Sequence, residues 1–176
     1  MVTFKLMITA EVENVSTIQP MGGCNDPSFT YYFKLKCENC GEVTQKETSV
    51  VLEEVFPIPK SRGQANLVQK CKFCEREGTV TMLPDAPSSG TKMRCRPLTG
   101  DDCEVGHYAP LMFFDCRGIE PVEYYFGGSQ WKVETTAGTV YENVDLSGGD
   151  WAEYDEKGEM PVSISNLKSR FEVAKM

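Results

Sequence analysis

Cys37-Glu-Asn-Cys40 and Cys71-Lys-Phe-Cys74 are two C-x-x-C pairs separated by 30 residues, and nothing else in the chain restricts its folding so much. Zinc takes four soft ligands at tetrahedral corners, with sulfur about 2.3 Å from the metal. One C-x-x-C turn places two sulfurs on one side of the ion, and a second pair must come round to close the cage. The intervening residues therefore have to double back, and they read as a hairpin with a long loop. One structural Zn2+ held by Cys37, Cys40, Cys71 and Cys74 is the expected cofactor. Gly41, directly after Cys40, suits such a knuckle because glycine bends the chain without a Cβ penalty. Glu75 stands at the matching place after Cys74, so the second knuckle is expected to differ in geometry. Lys34, Lys36, Lys70, Lys72 and Arg76 lie within a few residues of these cysteines. Four thiolates and one zinc carry a net charge of about −2, which such neighbours would offset. Two readings compete: a dithiol redox pair, which ordinarily uses a single C-x-x-C at a helix start, and disulfides.

The rest of the chain alternates with a period of two, the mark of half-buried strands. Phe4, Leu6, Ile8, Ala10 and Val12 share one face of the first segment, with Met7 as the exception. Tyr31, Phe33, Leu35 and Cys37 alternate with Tyr32, Lys34 and Lys36, which carries Cys37 to the end of a strand on its apolar face. Leu67, Cys71 and Phe73 repeat the plan less cleanly, because the polar Gln69 falls on the apolar side, and Val80 and Met82 read as a short continuation after Gly78. Turn signals stand at 19–27, at Pro57-Ile-Pro59 and at Lys60-Ser-Arg-Gly63. Leu111–Cys116, Trp131–Thr135, Val140–Leu146 and Val162–Val173 again look extended. Only Asp150-Trp-Ala-Glu153 has a helix-start signature, with room for little more than a turn before Gly158 and Pro161. The expectation is an all-β fold of two similar small sandwich- or barrel-like lobes. Residues 1–83 form the zinc-binding lobe, 84–110 an irregular connector rich in Pro, Gly, Ser and charge, and 111–176 a second lobe without zinc. The first strand is a candidate for sharing between lobes. A duplication is hinted at: the run from Phe33 to Glu42 resembles that from Met112 to Glu120, with Cys37 on Cys116. Ala65–Phe73 likewise resembles Ser165–Phe171.

Eighteen basic side chains against twenty-six acidic ones leave a net charge of −8 on 176 residues, which repels nucleic acid over most of the surface. Glu11, Glu13 and Lys5 break the apolar opening too soon for a secretory signal, and no run approaches the ~18 apolar residues of a membrane span. A cytoplasmic protein with nuclear access is expected, without membrane or nucleic-acid partners. In that compartment clustered cysteines serve metals or redox chemistry more than disulfides. Of the other four cysteines, Cys24 sits in a Gly-rich loop and reads as an inert thiol. Cys95 and Cys103 read as free thiols of the connector, and Cys116 as a small core side chain.

Five motifs fall in order along the chain: the opening strand, Cys-Glu-Asn-Cys-Gly-Glu at 37–42, Leu-Val-Gln-Lys-Cys-Lys-Phe-Cys at 67–74, Cys-Arg-Gly-Ile-Glu-Pro-Val at 116–122 and Asp-Trp-Ala-Glu-Tyr-Asp-Glu-Lys at 150–157. Together, over nearly the whole chain, they resemble the eukaryotic CXXC-motif-containing zinc-binding protein family, a family of unknown function. The resemblance implies zinc on Cys37, Cys40, Cys71 and Cys74, an all-β fold of two similar lobes and no established catalytic activity. Cys95, Cys103 and the basic residues around them depart from the family pattern, and no role is carried onto them.

The function expected is that of a non-catalytic module that binds another protein. Trp151–Tyr154 and Tyr124-Tyr-Phe126 are its candidate contacts, since aromatic residues dominate interfaces; core packing is the plainer reading of both. A thiol- or metal-exchange protein, a metallochaperone or redox sensor, is the alternative. A sulfoxide-reductase-like enzyme would need Cys24 or Cys116 activated by His107, the sole histidine.

Overall fold

The computed structural model describes residues 2–24, 26–84, 96–103 and 107–174, and almost all of its regular structure is β. In chain order the strands are β1 (Val2–Glu13), β2 (Val15–Pro20), β3 (Thr30–Cys37), β4 (Thr48–Val51), β5 (Phe56–Pro57), β6 (Gln64–Ala65), β7 (Leu67–Lys70) and β8 (Glu77–Met82). They continue as β9 (Leu98–Thr99), β10 (Ala109–Arg117), β11 (Ile119–Tyr125), β12 (Trp131–Thr135), β13 (Val140–Val144), β14 (Trp151–Asp155) and β15 (Met160–Val173). A single 3-10 turn, Gly100–Cys103, interrupts the sequence of strands among the described residues. Most of the expected connector, including Cys95, lies outside the described residues.

Three sheets carry the architecture. Six strands run β14-β15-β1-β10-β8-β7, three run β11-β3-β4 and four run β13-β12-β2-β9. The sheet curls into a half-barrel. The period-two face of β1 explains its central place: Phe4, Leu6, Ile8 and Ala10 are all buried, and β10 and β15 flank it on either edge. Met7 is buried as well, next to a register shift between Leu6 and Met7. The three-stranded sheet packs on the six-stranded one through aromatic rings. Phe33 of β3 meets Phe114 of β10 at 5.1 Å and Phe171 of β15 at 5.4 Å between centroids, both edge-on. Edge-to-face contact matches the positive rim of one ring to the negative face of the next.

Two local expectations are corrected. Val80 and Met82 do not continue the strand of Leu67: β8 is the antiparallel return of β7, with Leu67 opposite Val80 and Lys70 opposite Glu77. The chain reverses at the second C-x-x-C. Asp150-Trp-Ala-Glu153 starts no helix but the edge strand β14, where Trp151 faces Ile164. Cross-strand pairing outweighs the weak local preference there.

Asp155 ends β14 fully buried and satisfied. It accepts hydrogen bonds from the hydroxyls of Thr135 and Thr139 at 2.7 Å each, and from the amides of Lys157 at 3.1 Å and Gly158 at 3.3 Å. These bonds tie the β12–β13 hairpin to the β14–β15 hairpin. The Thr135 hydroxyl above all, against the opposing cost of burial, holds the carboxyl below its ordinary value. A depressed folded-state pKa gives stability that is present above the unfolded value and lost as pH falls through the folded one. The melting-temperature gap between wild type and Asp155→Asn is therefore expected to be widest near neutrality and to narrow below about pH 4. Thermal melts across an acid pH series check this.

Candidate metal centre

Cys37 is the last residue of β3, and Cys71 follows the last residue of β7, so the centre straddles two sheets. The sulfur of Cys37 lies 3.6 Å from that of Cys74, and Cys40 lies 3.5 Å from Cys71. All four sulfurs fall within 4.8 Å of one another. A tetrahedron with 2.3 Å bonds has edges of about 3.8 Å, so the cluster has the size a zinc ion requires. Both of these contacts run from one knuckle to the other. Among the described residues, no other group of three or more His, Cys, Asp or Glu side chains converges in this way.

The knuckles are built alike, against the expectation from Glu75. In the first, the Cys37 amide donates to Glu42 O at 2.8 Å and the Gly41 amide donates to Cys37 O at 2.9 Å. In the second, the Cys71 amide donates to Arg76 O at 2.9 Å and the Glu75 amide donates to Cys71 O at 3.0 Å. Gly41 has φ +80° and Glu75 has φ +63°. The shared hydrogen-bond frame forces both into the left-handed region, and Glu75 bears the steric cost that Gly41 avoids. Glu75→Gly is expected to stabilise the metal-loaded protein by about 0.5–1 kcal/mol, the left-handed strain relieved less the added chain entropy. Gly41→Ala, whose Cβ would meet nothing within 4 Å, should cost about as much through φ alone. Denaturant midpoints of the two variants should move in opposite directions.

Around the sulfurs the backbone supplies positive dipoles. The amides of Cys74 and Phe73 hold the Cys71 thiol below its ordinary value. The Asn39 side chain, then the Arg76 amide, holds Cys74 down to about 6. Cys40 feels a downward pull from the Glu42 amide, but desolvation and the neighbouring sulfurs push it up to about 12. Cys40, Cys71 and Cys74 thus ionise unequally, and a divalent cation is the group that lets all four sulfurs be thiolates together. Asn39 escaped the sequence reading, because an asparagine inside a C-x-x-C looks like turn chemistry only.

The flanking cations divide into two sets. Lys34 pairs with Glu123 and Lys36 with Glu120, each at 3.7 Å, so both are engaged along the β3–β11 seam. Lys70, Lys72 and Arg76 are exposed. Gly118 lets the chain pass behind the first knuckle: at φ +75° its carbonyl accepts from the Glu38 amide at 3.1 Å, and a Cβ would lie 2.9 Å from Glu77 O.

The remaining cysteines stand apart. Cys24 is half-buried near the β2–β3 turn, while Cys103 and Cys116 are buried and free. Burial pushes the Cys103 thiol up to about 11, and pushes that of Cys116 higher still. His107 is exposed just before β10 and takes no part in the sulfur cluster.

A family model described as "CXXC motif containing zinc binding protein, eukaryotic" matches residues 5–172. A Xenopus laevis protein named CXXC motif containing zinc binding protein is 32% identical over 97% of this chain and 98% of its own. The crystal structure of C1orf123 superposes with a TM-score of 0.81 at 31% identity, covering 98% of this chain and 99% of that one. A hypothetical protein from Plasmodium falciparum gives 0.77 at 25% identity, with 99% and 100% covered. The converged cysteines and the family's zinc-binding character support one structural Zn2+. The chain belongs to the eukaryotic family of CXXC motif containing zinc binding proteins.

Proposed function

We propose that this protein is a zinc-stabilised module that binds another protein and catalyses nothing, with Cys37, Cys40, Cys71 and Cys74 as the zinc ligands. The closed four-sulfur cluster carries this reading. Four thiolates fill every corner of a tetrahedral ion, whereas a catalytic zinc keeps one position for water. The buried Cys116 supplies no activated nucleophile, since burial disfavours its thiolate. Of the aromatic contacts expected from sequence, Tyr124 is buried in the core, with Phe126 packed edge-on against it. Trp151 is half-buried against Tyr141, and only Tyr154 on β14 is largely exposed. A net charge of −8 disfavours nucleic acid as the partner. Among the described residues no helix is long and apolar enough to cross a membrane. A cytoplasmic location with access to the nucleus is part of the proposal, since clustered cysteines serve metals in that compartment.

Two measurements test this. Affinity capture should retain a protein partner at near-stoichiometric amount on the zinc-loaded chain and lose it after chelation. Thiol alkylation with zinc bound should be uniformly slow; one hyper-reactive cysteine near neutral pH would instead favour an enzyme. A second reading, metal or thiol exchange with another protein, draws support from Cys40, which is exposed and reachable by an incoming thiolate. Zinc that resists a competing chelator for hours would remove it.

A further inference from the structure

Beside the knuckles lies a groove of about 470 Å³, walled on one side by residues 42–48 and on the other by residues 69–73. This volume falls in the range of ligand sites. Each wall is the outer margin of a sheet. β7 is the last strand of the six-stranded sheet and β4 the last of the three-stranded one, and Thr48 Oγ1 reaches Gln69 Oε1 at 3.4 Å across the gap.

Both margins carry open backbone. The Cys71 amide bonds to Arg76 O, so antiparallel alternation turns the N–H and C=O of Lys70 away from β8. On the facing wall, the Cys37–Glu42 and Leu35–Thr44 bonds bracket the Lys36–Val43 bridge and turn the N–H and C=O of Val43 outward from β3. Open strand margins are the sites at which an extended segment adds to a sheet.

The side chains define what fits. Val43 is 43% exposed and Phe73 is 70% exposed, a large apolar area for residues beside a metal centre. Lys46, Lys70 and Lys72 also line the groove, all exposed and without an ion pair among the described residues. Two carboxylates, Glu42 and Glu47, line it against these three lysines. The rim is thus positive on a chain of net charge −8.

We infer that this groove takes an extended segment of a partner protein as an added strand, one that alternates acidic with apolar side chains. The inference rests on the binding-module reading and gives its partner a shape and charge. Backbone bonds to Val43 or Lys70 set the strand's direction, its apolar side chains cover Val43 and Phe73, and its carboxylates face the lysines.

The test selects a phage-displayed library of randomised twelve-residue peptides on the zinc-loaded full chain, with counter-selection on Lys46→Glu/Lys70→Glu. Acidic sequences with alternate apolar residues should be enriched. A synthetic copy should bind roughly tenfold more weakly to the double variant and to Phe73→Ser, and lose binding when alternate amides are N-methylated. Zinc content and melting temperature verify that each variant is intact, and Lys46→Glu alone serves if Lys70→Glu loses metal. No enrichment, enrichment of basic sequences, equal binding of the N-methylated peptide, or displacement by single-stranded RNA would each overturn the inference. A cellular partner captured equally by wild type and double variant would sink the groove and leave the binding-module reading standing. Enriched peptides with no captured partner would count against the module reading alone.

Discussion

Cys37→Ser, or treatment of the wild type with a strong chelator, is expected to release the metal and free the β3–β4 and β7–β8 hairpin tips from one another. Zinc bound to small domains contributes on the order of 10 kcal/mol, comparable with the whole stability of an ordinary domain. The loss should begin locally. Cys37 and Cys71 come from different sheets, so removing the ion severs a clamp between sheets while leaving β1, β10 and β15 paired through their own ladders. Hydrogen exchange should show deprotection at residues 35–44 and 67–79 first, ahead of β1. Elemental analysis of the variant gives the metal count. A metal-free Cys37→Ser protein with wild-type exchange throughout would end the structural-zinc assignment.

Asn66→Ala is expected to cost about 2–4 kcal/mol, the second largest effect of a single change. Asn66 is buried, and its amide group donates to Leu52 O and Glu54 O at 3.0 Å each, with Val51 O farther off at 3.4 Å. Its side-chain oxygen accepts from the Met82 amide at 2.7 Å. One side chain thereby fastens the end of β4 to β8, bridging the same two sheets that the cysteine cluster spans. Alanine would orphan the buried Met82 amide and Val51 carbonyl and remove two further part-buried bonds, and each buried orphaned group costs more than a made bond contributes. Asn66→Asp separates the two halves of the role, because it can still accept from Met82 but can donate nothing. A shift of the urea midpoint without a change in slope is the expected signature.

Where the apolar pattern kept its phase, the strands were legible. Tyr31, Phe33, Leu35 and Cys37 alternate without error, while the C-x-x-C spacing by itself brought the four cysteines to notice. Where the ladder slips, the pattern hid the strand. β11 carries a register shift between Pro121 and Glu123, so Pro121 is buried, Val122 is exposed and Tyr124 is buried again. β2 buries Val15, Ile18 and Pro20, a spacing that mimics no regular period. The second knuckle was misjudged for a different reason. A residue's own preference predicts its neighbourhood only when the neighbourhood is free to choose, and the Cys71–Arg76 bonding leaves Glu75 no choice. Asn66 and Asp155 carried no local signal at all, since their partners come from elsewhere in the sequence.

The position of β1 bears on how the molecule is made. It is translated before both of its neighbours, β10 and β15, with Phe4 opposite both Phe114 and Val173. Neither edge of this apolar strand can be covered until the distant segments have been translated. Non-local pairing of this kind makes folding slow and leaves the nascent chain open to aggregation. Until β10 and β15 have followed it out of the ribosome, β1 lacks both strands that will satisfy its backbone.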